Sequence, residues 1–235
     1  MQILKKWAIS RWVPEYHEMM RKLRDMEYHA DFFPRFVDPQ VVEYQQQNEL
    51  TTDGRITDVC VMFTDVRGFT KYSQEVSLPA ANSFLNNFYD IAIHHTQRFG
   101  GVMDKFLGDG TMSVFGALDR KRTSYVTNCV AAAKAILKDF KDMTMQKDEP
   151  SLFLGVGLSQ GPAMIGTFGN GEFVNFTAIG HTVNLAARVQ GCVHNNSVYM
   201  TKEVSNFLEK GQYHSKGKFD LKNVNKKVEL FELSA

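Results

Sequence analysis

Cysteine is scarce in this chain. Cys60, Cys129 and Cys192 lie far apart, each among apolar or small neighbours. An odd count without CxxC spacing argues against a disulfide framework or a zinc site, and reads as reduced, buried thiols of a cytosolic protein. An excess of one charge is missing too. The 27 Lys and Arg against 26 Asp and Glu leave a formal net charge of +1. No bulk field therefore draws the chain to nucleic acid or to a membrane. No apolar run approaches the roughly 20 residues that a bilayer span needs. The N-terminal "MQILKKWAISRW" has basic residues and an apolar face but no signal-peptide core. It reads as a docking helix or the stub of a segment cut from a longer protein, with a membrane-surface helix as the alternative. Internal repeats and low-complexity tracts are absent. What is there is an ordinary globular composition, 43% hydrophobic and 23% charged, which suffices for a sizeable core.

The chain divides near residue 50. Before it, Tyr16, Met19, Met20, Leu23, Met26 and Ala30 recur at intervals of three and four. That spacing predicts a short helix with a coiled-coil-like seam, or one packed on its own domain. "FFPRFVDPQ" breaks this helix with two prolines, and "QQQNELTTDGR" is a polar connector. Residues 1–50 thus form a helical segment and connector, and residues 51–235 a second domain. There "DVCVMFT" reads as a central strand buried on both faces. Residues 78–98 read as a helix with Leu78, Phe84, Leu85, Phe88, Ile91, Ala92 and His95 on its apolar stripe. "GVMDKFLGDGTMSVFG" predicts a hairpin around Gly-Asp-Gly, and 123–140 a second helix. Further strands follow in "SLFLGVGLSQGPAMIGTFG" and "EFVNFTAIG", then a short helix ending near Gly191, then a strand, a helix and a last pair of strands. This order predicts an α/β sandwich, one sheet with helices on one face.

Two groups of residues carry chemistry. Asp65, in "FTDVRGFT", and Asp109, in "KFLGDG", each stand at a strand end or tight turn beside glycine. Two such carboxylates from adjacent strands suit Mg²⁺, which takes acids plus substrate phosphate oxygens. The amides of residues 67–70 form a turn able to cradle phosphate. The second group lies in "NFTAIGHTVNLAAR". Asn184 and Arg188 share a helix face, where Arg suits charge developing on a phosphoryl group. Alternation puts Asn175 and Thr177 on one face of the preceding strand. Each signal alone has a bland reading. A lone Asp in a glycine-rich turn is structural more often than a ligand, and an i,i+4 polar pair is usually a solvated face. Lys105 by default is a solvated edge charge. Asp104, its neighbour, falls on the opposite face by the same alternation and is left aside. His94 and His95 read as packed or half-exposed rather than as ligands, and the methionines as core and seam filler.

Together, "FTDVRGFT", "KFLGDG" and "FTAIGHTVNLAAR" resemble the three signature segments of class III nucleotidyl cyclases, in order and at suitable spacing over roughly residues 55–233. The resemblance implies a ferredoxin-like palm core with one mixed sheet. It implies that Asp65 and Asp109, with the Val66 carbonyl, hold two Mg²⁺ or Mn²⁺ ions per site, and that Gly68, Phe69 and Thr70 hold the triphosphate. Lys105 and Thr177 match the purine-reading positions of adenylate cyclases of the cyanobacterial-type and soluble subgroup, whereas guanylate cyclases usually carry Glu at the first. Asn184 and Arg188 match the pair that orients the ribose and stabilises the transition state, and Lys222 matches a triphosphate-contacting lysine. His181 replaces a frequent Asp, and Asn223 replaces the glycine that usually follows the lysine.

The resemblance therefore implies an adenylate cyclase that takes ATP, works as a head-to-tail homodimer with shared sites, and binds no nucleic acid. It further implies a cytoplasmic location, with an upstream sensor or membrane domain if the chain is a fragment. A guanylate cyclase and a non-catalytic nucleotide-sensing dimerisation module are the alternatives. The signature of diguanylate cyclases, which have a related palm, is absent.

Overall fold

The computed structural model describes residues 37–47, 54–118, 124–146, 151–170 and 174–234. The seam expected over residues 16–30 lies outside them. The chain forms two compact units, 1–47 and 48–235. In the first, helix α1 spans Pro39–Gln47. Pro39 begins this helix, at the position where a missing N–H costs nothing, and the Asp38 carboxylate accepts from the Gln40 N–H at 3.0 Å. The second proline of "FFPRFVDPQ" is thus a start signal as well as a break, and Gln45, Gln46 and Gln47 are helical rather than connector.

The second unit is built on one eight-stranded mixed sheet. Its elements are β1 (Arg55–Arg67), α2 (Phe69–Glu75), α3 (Leu78–Arg98), β2 (Gly101–Phe106), β3 (Gly110–Phe115), α4 (Tyr125–Gln146), β4 (Phe153–Gly169), β5 (Val174–Ile179), α5 (His181–Gly191), β6 (Ser197–Thr201), α6 (Lys202–Ser205), β7 (Tyr213–Phe219) and β8 (Val228–Leu233). The strand order is β2-β3-β1-β4-β6-β8-β7, with β5 pairing β4 off this path. β4 and β6 run parallel and the other pairs antiparallel. This is the mixed α/β sheet that the sequence implies. β1 is central, and Val59, Cys60, Val61 and Met62 are buried in succession, as expected for a strand covered on both faces.

On one face α3 and α4 cover the sheet. Phe84, Phe88, Ala92 and His95 point inward from α3, while Leu78 is 80% exposed. Leu78 opens the helix beside its Ser77 cap, outside the buried stripe. Phe140 of α4 meets Phe84 and Phe88 edge to face, with centroids 6.2 and 5.8 Å apart, a preferred aromatic geometry. His95 is buried as read, with Nε2 2.7 Å from the Asp139 carboxylate. Cys60 and Cys129 are buried free thiols, whereas Cys192 is only half-buried.

The expectation of helices on a single face is corrected by α5. Leu154, Val156 and Leu158 of β4 join the core under α3 and α4, so the alternate residues face the other way. Those residues include Gly155 and Gly157, against which Val193 and Gln190 lie. A Cβ on Gly157 would stand 2.2 Å from the Gln190 backbone nitrogen. The absence of side chains there lets α5 lie directly on the sheet. Val189, Val193, Tyr199 and Leu230 form the small core of that second face.

Candidate active site

β1 ends where its sequence changes character. Asp65 pairs with Gly110 and Arg67 with Phe153 before the chain turns. Gly68 makes the turn with φ 89, a conformation costly for residues with a Cβ. Phe69 then opens the short helix α2, so the chain at 67–70 is a strand end, one left-handed residue and a helix start. The Phe69 ring turns into the core beside Tyr72 and Phe84, at centroid distances of 6.0 and 6.1 Å. Any contact of Phe69 with a ligand is therefore a backbone contact, through one of the N–H groups that a first helical turn leaves unpaired. Thr70 and Gly68 are exposed.

Asp109 sits in the β2–β3 turn, and its carbonyl accepts the Val66 N–H at 2.9 Å. That bond, with the Asp65–Gly110 register, brings the two acids together at one end of the sheet. Behind them the buried hydroxyls of Thr64 and Thr111 meet at 2.7 Å. From α3, the Tyr89 hydroxyl donates to the Gly108 carbonyl, and its ring lies 4.4 Å from that of Phe106. Tyr89 thus braces the turn that carries Asp109. Val66 has a buried side chain, leaving only its backbone to the site.

Burial pushes the Asp65 carboxyl above the usual carboxylate range. The Arg67 guanidinium works against this, the nearby Asp109 charge adds to it, and Gln190 lowers it. Arg67 Nη1 lies 3.0 Å from Asp65, and Nη2 donates to the Gln190 carbonyl at 2.9 Å. A cation therefore already sits against Asp65. Two carboxylates, the charge of Asp109 raising the proton affinity of Asp65, form a hard oxygen donor set of the kind divalent cations neutralise. The residues present thus fit a magnesium or manganese site completed by substrate oxygens, although no group of three or more His, Cys, Asp or Glu forms a metal cluster among the described residues.

A second cluster forms where β2 meets β5. The Lys105 ammonium donates to Thr177 Oγ1 at 3.1 Å, so the two residues singled out from distant segments are in contact. A third residue joins them. The β2–β3 register slips between Met103 and Lys105, and the extra residue of this bulge is Asp104. Its side chain is 3% exposed and lies 3.0 Å from the Lys105 ammonium. Asp104 Oδ2 accepts the Thr177 hydroxyl at 2.7 Å and the Ala178 N–H at 3.2 Å. Strict alternation, which set Asp104 aside, fails here because a bulge re-aims side chains. Asp104, Tyr89 and Arg67 carried no signal of their own in the sequence; Asp104 and Tyr89 act through contacts distant along the chain, and Arg67 links its near neighbour Asp65 to the distant Gln190.

Asn184 and Arg188 stand exposed on one face of α5, one helical turn apart as read. Lys222 stands apart from both clusters. It is exposed in the connection from β7 to β8, at the opposite end of the sheet order from β2. The following Asn223 has φ 62, the left-handed conformation that Asn tolerates and Gly favours. The replacement of glycine by Asn223 is therefore compatible with the same turn.

Residues 52–235 match the family described as adenylate and guanylate cyclase catalytic domain. An uncharacterized protein of Mycobacterium tuberculosis is 28% identical over 177 residues, covering 74% of this chain and 31% of the relative. A second from the same organism is 30% identical over 176 residues, covering 74% and 31%. The chain thus spans about a third of the length of these relatives. Among solved structures, the adenylyl cyclase CyaB from P. aeruginosa superposes with a TM-score of 0.73 at 25% identity, over 77% of this chain and 96% of that one. A bacterial light-regulated adenylyl cyclase gives 0.80 at 18% identity, over 93% and 64%. The guanylyl cyclase Cya2 gives 0.69 at 20% identity, over 78% and 94%.

Proposed function

The chain belongs to the family of adenylate and guanylate cyclase catalytic domains, and on that premise we propose that it converts ATP to 3′,5′-cyclic AMP and pyrophosphate. The observation that carries the choice of ATP is the 3.1 Å contact between Lys105 and Thr177. Lys105 donates to adenine ring N1, and the Thr177 oxygen accepts from the 6-amino group. Guanine presents the reverse pattern on the same edge, an N–H at ring position 1 and an oxygen at position 6, which a lysine beside an acceptor does not match.

The acid pair Asp65 and Asp109, with the Val66 carbonyl, would hold two divalent metal ions. When bound, these ions lower the pKa of the ribose 3′-hydroxyl and neutralise the triphosphate. Backbone N–H groups at residues 68–70 orient the phosphates, and Lys222 supplies a further positive charge. The 3′-hydroxyl gives up its proton to water, its oxygen attacks the α-phosphorus in line, and the bond from that phosphorus to the pyrophosphate oxygen breaks. Arg188 stabilises the charge that develops on the phosphoryl oxygens, and Asn184 orients the ribose. On this reading the acid pair of one chain works with Lys105, Thr177, Asn184 and Arg188 of a second copy, arranged head to tail. The exposed row of Ile56, Met164 and Ile179 across β1, β4 and β5 supports such pairing. Residues 1–50 would then act as a helical segment ahead of the catalytic domain that relays a regulatory signal to it.

The test is direct. The protein is incubated with Mn²⁺ and either ATP or GTP, and the product is identified by mass. Cyclic AMP from ATP, with little cyclic GMP from GTP, is the expected result. Preferential turnover of GTP would make the protein a guanylate cyclase, and no product from either would make it a nucleotide-binding module.

A further inference from the structure

Three polar groups meet at the base-reading pair, and their hydrogen counts constrain what they can offer a ligand. A threonine hydroxyl has one proton and two lone pairs. Left free, it can donate to a 6-oxo group or accept from a 6-amino group. Thr177 is not free. Its proton has two acceptors within reach, the Asp104 carboxylate at 2.7 Å and the Ala178 carbonyl at 3.5 Å. The charged acceptor is shorter by 0.8 Å, and hydrogen bonds to ionised acceptors are the stronger class. One Thr177 lone pair is taken by Lys105, so the other is what remains. Of the three Lys105 protons, one points to Thr177 and one side of the ammonium is held against Asp104, which leaves one donor.

We propose that Asp104 is a specificity-determining positioning residue. By accepting the Thr177 proton it turns an ambivalent hydroxyl into an obligate acceptor, so that with Lys105 the pair recognises purine nucleotides carrying an N–H group at position 6. This inference rests on the adenylate reading above and assigns its selectivity to a residue that touches no substrate. Asp104 is itself held in place: the Ala178 N–H fixes Oδ2, and the side chain is almost wholly buried, so it cannot turn away to water.

The polarity can be separated from the shape of the base. Nucleotides of 6-methylaminopurine and 6-methoxypurine match in outline and in ring nitrogens and differ only in N–H against O at position 6. Their 2′,3′-dideoxy triphosphates lack the attacking hydroxyl, so binding to the full chain with Mg²⁺ is read by calorimetry without turnover. The unmodified protein should bind the methylamino compound about tenfold tighter or more. In Asp104→Ala the freed hydroxyl can donate or accept, and the preference should fall to about twofold or less. Asp104→Ser keeps a polar group but withdraws the acceptor from Thr177. It should behave like Asp104→Ala and replaces it if the alanine variant does not fold. An equal affinity for the two compounds in the unmodified protein overturns the fixed polarity. A variant that binds both compounds more weakly by the same factor, keeping the preference, overturns the role of Asp104. The adenylate reading fails separately, if the unmodified protein binds dideoxy-GTP more tightly than dideoxy-ATP.

Discussion

On the proposed adenylate reading, base choice turns on Lys105. Its side chain is 34% exposed, and its ammonium is held by two neighbours. A carboxylate in its place would face Asp104, and like charges at such separation repel strongly where water is scarce. Lys105→Glu should therefore lower kcat/KM for ATP by about 100-fold or more, because a site built on specific hydrogen bonds is left with a mismatched group. Steady-state kinetics with ATP check this, and unchanged ATP preference would remove Lys105 from the base-reading pair. Lys105 and Asp65 were legible in the sequence because each sits in a short motif that resembles a cyclase signature segment; taken alone, Lys105 reads as a solvated edge charge. Asp104 was not. A bulge is set by how β2 and β3 align, and the alternation that places most strand residues says nothing of where one extra residue enters. Tyr89 likewise looks like any half-apolar helix position until the Gly108 carbonyl is brought to it.

Among the elements, α5 depends most on what the strand beneath it lacks. Gly157 leaves room for the Gln190 backbone, and a methyl group there would stand 2.2 Å from its nitrogen. Gly157→Ala should destabilise the domain by about 1–3 kcal/mol through overpacking, seen as a lower melting temperature. It should also move the face that carries Asn184 and Arg188. An unchanged melting temperature would mean that α5 does not rest on β4 as described. The alternating apolar residues of β4 and the short helix after β5 were readable in sequence. The side of the sheet that α5 takes was not, because it follows from glycines whose meaning lies in a contact 33 residues away, from 157 to 190.

The β6–β7–β8 corner titrates. Burial raises the Glu232 carboxyl, but the Ser197 hydroxyl, Lys216 and His214 together bring it below the usual range. Lys216 lies 2.9 Å from it and His214 3.1 Å. A carboxyl with a depressed folded-state pKa contributes stability that is fully present above its unfolded value of about 4.3 and is lost as pH falls through the folded value. Glu232→Gln should thus melt below the unmodified protein at about pH 7, and the gap should narrow as pH falls below about 4.3. A gap that persists in acid would assign the effect to packing instead of charge.

At the scale of the whole molecule, the candidate residues fall into separate groups: the acids at the tip of β1 and the neighbouring turn, the base-reading cluster between β2 and β5, and the polar face of α5. On the proposed reading they meet across two copies of the chain. The most direct test of that reading mixes two defective proteins. Asp65→Ala and Arg188→Ala should each be nearly inactive alone, since every site lacks either a metal-holding acid or the arginine. After subunit exchange, a mixed dimer has one site with Asp65 from one chain and Arg188 from the other, and one site with both defects. Random pairing makes about half the dimers mixed, so roughly a quarter of the unmodified cyclase activity should return under two-fold symmetry. A mixture that stays as inactive as its parents, with exchange demonstrated, would contradict the shared site and require each chain to complete the chemistry by itself.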